Sequence, residues 1–242
     1  MKIAVSSAAF AAAFTAGTMT QLEWLDACAN ELEVDGVVFD LTDFPRTDAE
    51  YLAQLKKSAT DLGLTIAAIA SDALPDAGAF AIAAAIGAPL AIARAPIASD
   101  DASAWSAFVE AAKTCARAAK HAGIVVALAN ASGTLCATTA DLKRIAYDVD
   151  GSWLRYALDP LAASDGDDLT ALLAKAVIAT SEIGDAASFA TSGDSHAQRL
   201  IRDLARFRGF VVLVAEASDA RSTAYHDAIA RFAALRATAL YA

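Results

Sequence analysis

The sequence predicts an α/β protein built as a single (β/α)8 TIM barrel over residues 1–242, and three observations carry that prediction. Short apolar runs of strand length alternate with longer amphipathic segments from one end of the chain to the other. No low-complexity linker or shift in composition separates them. The 242 residues match the roughly 250 that eight strand-helix units occupy. A doubly wound open sheet satisfies the same local pattern, because both architectures bury parallel strands of near-continuous apolar character.

The predicted strands are KIAVSS (2–7), GVVFDL (36–41), TIAAIAS (65–71), PLAIARA (89–95), IVVALAN (124–130), LRYALD (154–159), AVIATSE (176–182) and FVVLVAE (210–216). Helix-start chemistry lies between them. Thr47 with Glu50 reads as a capping box, in which each residue satisfies an orphan backbone donor of the other, and Thr138 with Asp141 is a weaker version. Gly63 and Gly123 fall where a helix ends before a strand and a left-handed residue is wanted.

The opening MKIAVSSAAFAAAFTAG has one lysine before a run of small apolar residues and superficially resembles a secretory leader. It is read instead as the first strand. Removing residues 1–17 would leave seven strands and an open, unpaired edge.

Composition restricts the remaining possibilities. The hydrophobic content of 57% is largely alanine, and no stretch approaches the roughly 18 uncharged apolar residues of a membrane-spanning helix. A formal net charge of -10 with scattered basic residues argues against nucleic-acid binding, which needs clustered Lys and Arg. Cys28, Cys115 and Cys136 are odd in number and widely spaced, which fits reduced thiols in a cytoplasmic protein. The sequence has no Gly-x-Ser-x-Gly elbow, P-loop, Gly-x-Gly-x-x-Gly or His-Glu-x-x-His motif.

Three stretches, taken in order, resemble the xylose isomerase-like TIM barrels, a family that includes sugar-phosphate isomerases and epimerases. They are KIAVSSAAF, the region from VDGVVFDLTDFPRTDAEYL to LGLTIAAIA, and ANASGTLCATTADLKRI followed by WLRYALDP. The resemblance implies a divalent metal held by Glu after strand five, Asp after strand six, His after strand seven and Glu on strand eight. Such a cation polarises a sugar carbonyl while carboxylates move a proton between adjacent carbons.

On this chain the corresponding residues are Ala129, Asp159, Thr180 and Val214, so one implied ligand of four remains. The adjacent Asn130 also matches the resemblance. None of His121, His196 and His226 falls at the carboxyl end of a predicted strand, where barrel sites are built. A degenerate metal site is therefore expected. No resident cofactor is predicted, and a weakly held divalent metal is left open.

Asp40, Glu182 and Glu216 each lie two residues beyond a position implied by the resemblance, so they share a strand face with it. One reading has the polar site displaced outward, with Asp40, Asp159, Glu182 and Glu216 ringing the mouth; the other has them as solvated loop carboxylates. Asp159, Glu182 and Glu216 are the candidate catalytic residues, and Arg94, Asn130 and Asp40 the candidate ligand-binding residues. Arg94 has two readings, as an anchor for a polar or anionic ligand and as an ion-pair partner of Asp40 or Asp72.

The Ser- and Gly-rich segment 184–195 is read as a backbone anion site, a lid or an ordinary connection. Cys136 is read as a plain loop thiol or one within reach of a ligand. Two functions follow: a divergent isomerase or epimerase acting on a small polyhydroxy carbonyl compound, or a non-catalytic barrel that binds such a sugar-like ligand. A homo-oligomer or a pairing with a paralogous subunit fits the second.

Overall fold

A computed structural model describes residues 2–160, 169–183 and 207–215, together with positions 204, 226, 229, 230 and 234; the side chains of 169, 170, 181–183 and 215 lie outside that description. Eight parallel strands close on themselves in the order β1 to β8. They are β1 (Lys2–Ser6), β2 (Gly36–Asp40), β3 (Thr65–Ser71), β4 (Leu90–Ala93), β5 (Val125–Ala129), β6 (Leu154–Leu158), β7 (Ala176–Ile183) and β8 (Phe210–Ala215). The intervening helices are α1 (Ala11–Thr15) and α2 (Gln21–Asn30), then α3 (Ala49–Asp61), α4 (Ala77–Ile86), α5 (Ala104–Ala122), α6 (Thr139–Val149) and α7 (Leu169–Leu173).

Pairing of Lys2 with Phe210 through Val5 with Leu213 closes the ring and overturns the open-sheet alternative. β1 also pairs with β2, so the leader-like opening forms a barrel stave hydrogen-bonded on both sides. Among the described residues, no helix is long and apolar enough to cross a membrane.

Period-two alternation sorts the strand side chains into two layers. Val5, Val37, Phe39, Ile69, Leu128 and Leu158 face the helices. Ala4, Val38, Ala68, Ala127, Ala157 and Val212 fill the barrel interior. The register slips by one between β2 and β3, pairing Val37 with Ile66 and Val38 with Ala68. Ala67 is the extra residue, which is why Ala67 and Ala68 both pack inside.

The bottom of the barrel admits no side chain at Gly36. A Cβ there would sit 2.5 Å from the Thr65 carbonyl oxygen and 2.7 Å from Cε1 of Phe210, and the carbonyl belongs to the pairing strand. Gly36→Ala is therefore expected to destabilise the fold by about 1–3 kcal/mol through overpacking, measured as a lowered midpoint of thermal or urea unfolding.

Helix capping corrects one local reading and supports another. α3 is capped by Asp48, which accepts from the Tyr51 N–H at 3.0 Å, instead of by the predicted Thr47–Glu50 box. The carboxylate one position later wins the same cap. The Thr138–Asp141 box on α6 is present. A second box, Thr20 with Glu23 on α2, follows the same spacing and was legible in principle. Gly63 and Gly123 adopt φ of 75° and 71°, the left-handed geometry expected at helix ends.

Candidate functional site

The strand ends converge on a cavity of about 80 Å³ at the carboxyl-terminal mouth of the barrel. Four of the six residues predicted from sequence line it: Asp40, Arg94, Asn130 and Asp159. The Glu182 side chain and Glu216 lie outside the described residues, as do His196 and the segment 184–195. Sequence reasoning missed Ser6 and Ser71 as lining groups and placed Asp72 at the mouth only as an ion-pair partner of Arg94. Only their places at strand ends could have marked the two serines, because hydroxyl residues are common in loops.

Asp159 follows β6 and is 8% exposed, unusual for a carboxylate. Its backbone is held by Asn130, which follows β5. The Asn130 Nδ2 donates to the Asp159 carbonyl at 2.9 Å, and Asn130 Oδ1 accepts the Asp159 N–H at 2.7 Å. This two-point clamp joins neighbouring strands where their own ladder stops. Asn130 is itself buried. Its amide therefore positions Asp159 as well as lining the cavity.

Asp40 ends β2 on the same face as Val38, as the two-residue spacing requires. Its Oδ1 accepts from both the backbone N–H and the hydroxyl of Thr42, at 2.9 and 2.6 Å, capping the turn Leu41–Asp43. One oxygen is thus committed to the turn. Behind it, the Asp40 N–H donates to Ser7 Oγ at 2.7 Å, and that hydroxyl donates to Asp43 at 2.5 Å. Burial holds the Asp43 carboxyl above its usual range; the Ser7 bond opposes this shift and the nearby Asp40 charge adds to it. Tyr51 and Gln21 continue the network inward: the phenol donates to the Gln21 amide oxygen at 2.9 Å, and that amide donates to the Asp43 carbonyl at 3.1 Å.

Arg94 follows β4, and its Nε lies 3.6 Å from Asp72 Oδ1. The ion-pair reading with Asp72 is therefore realised while Arg94 still lines the cavity. Both side chains are substantially exposed, so the pair contributes little to stability.

The positions at which the resemblance implies metal ligands all border this cavity, and they carry Ala129, Asp159, Thr180 and Val214. Among the described residues, no three His, Cys, Asp or Glu side chains come together in a way that would hold a metal ion. His121 lies in the last turn of α5, well away from the strand ends.

All three cysteines are free and buried. Cys136 is fully inaccessible, which removes the reading of a loop thiol within reach of a ligand. Burial pushes its thiol up to about 12 and that of Cys115 up to about 11, and raises that of Cys28 as well. At mildly alkaline pH only about one Cys136 thiol in ten thousand is then thiolate. The native protein is expected to resist a disulfide reagent such as Ellman's, with all three thiols reacting once it is denatured; rapid labelling in the native state would show that burial does not protect them.

No protein-family model and no curated protein matches the sequence. Solved structures do match along the whole chain. The probable 3-DHS dehydratase AsbF of Bacillus anthracis aligns with a TM-score of 0.73 at 14% identity, over 97% of this chain and 98% of its own. A D-psicose 3-epimerase aligns at 0.75 and 15% identity, covering 99% of each chain. The 3-keto-D-glucoside 4-epimerase YcjR of E. coli aligns at 0.72 and 16%, over 97% of this chain and 99% of its own. The chain thus shares the closed (β/α)8-barrel fold of these proteins along its whole length.

Proposed function

We propose that the mouth cavity binds a small polyhydroxy carbonyl compound and that Asp159 carries a proton to and from the carbon next to its carbonyl. The observation behind this reading is the location of Asp159: a nearly buried carboxylate at a strand end, lining the cavity and fixed by the Asn130 clamp. Removing the proton breaks a C–H bond and moves its electron pair toward the carbonyl oxygen, giving an enediolate. Returning a proton to the neighbouring carbon, with the hydroxyl proton passing to the former carbonyl oxygen, isomerises the compound; delivering a proton to the opposite face of the same carbon from a second group epimerises it.

Two further groups suit this chemistry. β2 lies four strands from β6 in the eight-strand ring, so Asp40 brings a second carboxylate to the opposite wall. Arg94 supplies positive charge where negative charge develops on the oxygen. Among the described residues, the positions that the resemblance implies do not supply a donor set for a divalent metal. Ala129 and Val214 offer no ligand atom, Thr180 offers a neutral hydroxyl, and Asp159 alone cannot hold a cation firmly. No step is therefore assigned to a metal.

The test is solvent exchange. The protein is incubated in D2O with short aldoses and ketoses, and deuterium incorporation next to the carbonyl is followed by NMR. Incorporation by the wild type that is lost in Asp159→Asn supports the reading. Binding without incorporation would favour a non-catalytic sugar-binding barrel, and absence of binding would remove both readings.

A further inference from the structure

We infer that the ligand is an uncharged hydroxy-aldehyde or hydroxy-ketone of three or four carbons, and that Val214 is a specificity-determining wall that excludes longer sugars. This inference rests on the functional reading above and adds a size and a charge to it.

Size follows from the walls. At the about 10–15 Å³ of free space that each water needs, the cavity of about 80 Å³ has room for about five to eight waters, close to the six to eight non-hydrogen atoms of a three- or four-carbon sugar. Pockets for drug-sized ligands span about 300–1,000 Å³. Most of the barrel interior below is alanine, and Val38, Ile92 and Val212, which belong both to that interior and to the lining, form the floor of the cavity. Val38, Ile92, Val212 and Val214 project branched side chains into it, whereas Ala70 and Ala129 leave room beside them. A β-branched side chain is stiff at χ1 and does not swing aside for a larger ligand. Val214 lies near the end of β8 and is partly exposed, placing it at the rim where a longer carbon chain would have to pass.

Charge follows from the lining. Among the described residues it includes the three carboxylates of Asp40, Asp72 and Asp159 against the one guanidinium of Arg94. That cation is already shared, lying 3.6 Å from Asp72. A phosphate or carboxylate on the ligand would add negative charge to a site with a net excess of it, in a protein of formal charge -10. Hydroxyl groups meet the opposite situation. Ser6, Ser71 and Thr180 present hydroxyls around the same space, and carboxylate oxygens accept from ligand O–H groups.

The experiment measures ligand-observed NMR affinities for dihydroxyacetone, erythrulose, fructose and dihydroxyacetone phosphate, on the wild type and on Val214→Ala. The two short uncharged ketoses are expected to bind the wild type, with fructose weaker by about tenfold or more. The phosphate is expected not to bind. Val214→Ala is expected to improve fructose binding by about tenfold relative to dihydroxyacetone. Val38→Ala serves as a second widening variant if Val214→Ala does not fold.

Wild-type binding of fructose equal to that of erythrulose would overturn the size limit, and tighter binding of the phosphate than of dihydroxyacetone would overturn the charge limit. Either result leaves the broader functional reading intact. Failure of both widening variants to admit fructose would overturn the role of the valine wall. If none of the four compounds bound the wild type, this inference and the functional reading would fall together.

Discussion

Asp159→Asn is expected to lower the rate of deuterium incorporation by about 10²–10⁴-fold, the range usual for loss of a positioned acid-base group. The substitution is nearly isosteric and leaves the backbone N–H and carbonyl that Asn130 holds, so the strand end keeps its clamp. An amide in place of the carboxylate has no practical basicity near neutral pH. The loss should therefore appear in the rate of exchange, with ligand affinity changed far less. An unchanged rate in a folded Asp159→Asn variant would remove Asp159 from the reaction and direct attention to Asp40 on the opposite wall.

The sequence made the barrel legible to different depths at different places. TIAAIAS reads as a strand over 65–71 and forms one with those limits, because its apolar residues suit burial on both faces. The pairing of Lys2 with Phe210 was not legible, since closed and open sheets share the same local periodicity and differ only in contacts between distant segments. The same division holds at the mouth. Asp40, Arg94, Asn130 and Asp159 were found from their places at strand ends, and closure of the ring brings all four to one cavity.

Pairwise detail escaped the reading of the sequence. Nothing local to Asn130 shows that its amide bonds the backbone of Asp159, a contact across 29 positions. The size of the cavity escaped it too. Abundant alanine suggests a small-residue interior, which the barrel has, but the volume at the mouth depends on where Val38, Ile92, Val212 and Val214 project.

Asn130→Ala carries the largest expected loss of stability among these substitutions. It deletes both bonds of the clamp and leaves two buried backbone groups of Asp159 without that partner, at about 1–3 kcal/mol each. Their sum, about 2–6 kcal/mol, lowers the melting temperature by about 4–24 °C in a chain of this size. Asn130→Asp separates the two bonds. Its carboxylate still accepts the Asp159 N–H, but faces the Asp159 carbonyl oxygen with no proton to donate, so two acceptors meet where 2.9 Å now spans a donor and an acceptor. That repulsion raises the pKa of the new carboxyl in the folded state. A carboxyl raised on folding binds its proton more tightly in the native protein, so the deficit is full above the folded pKa and shrinks as pH falls through it. Calorimetry in mildly acidic and mildly alkaline buffer is expected to show the Asn130→Asp variant approaching the wild type on the acid side, with Asn130→Ala parallel to the wild type throughout. A pH-independent deficit in Asn130→Asp would mean that the amide does not donate to the carbonyl, and a wild-type melting temperature for Asn130→Ala would mean that the clamp carries no weight. If the clamp does hold Asp159 in place, Asn130→Ala should also slow deuterium incorporation in the fraction that remains folded, by about 10²-fold for a displacement of about 1 Å.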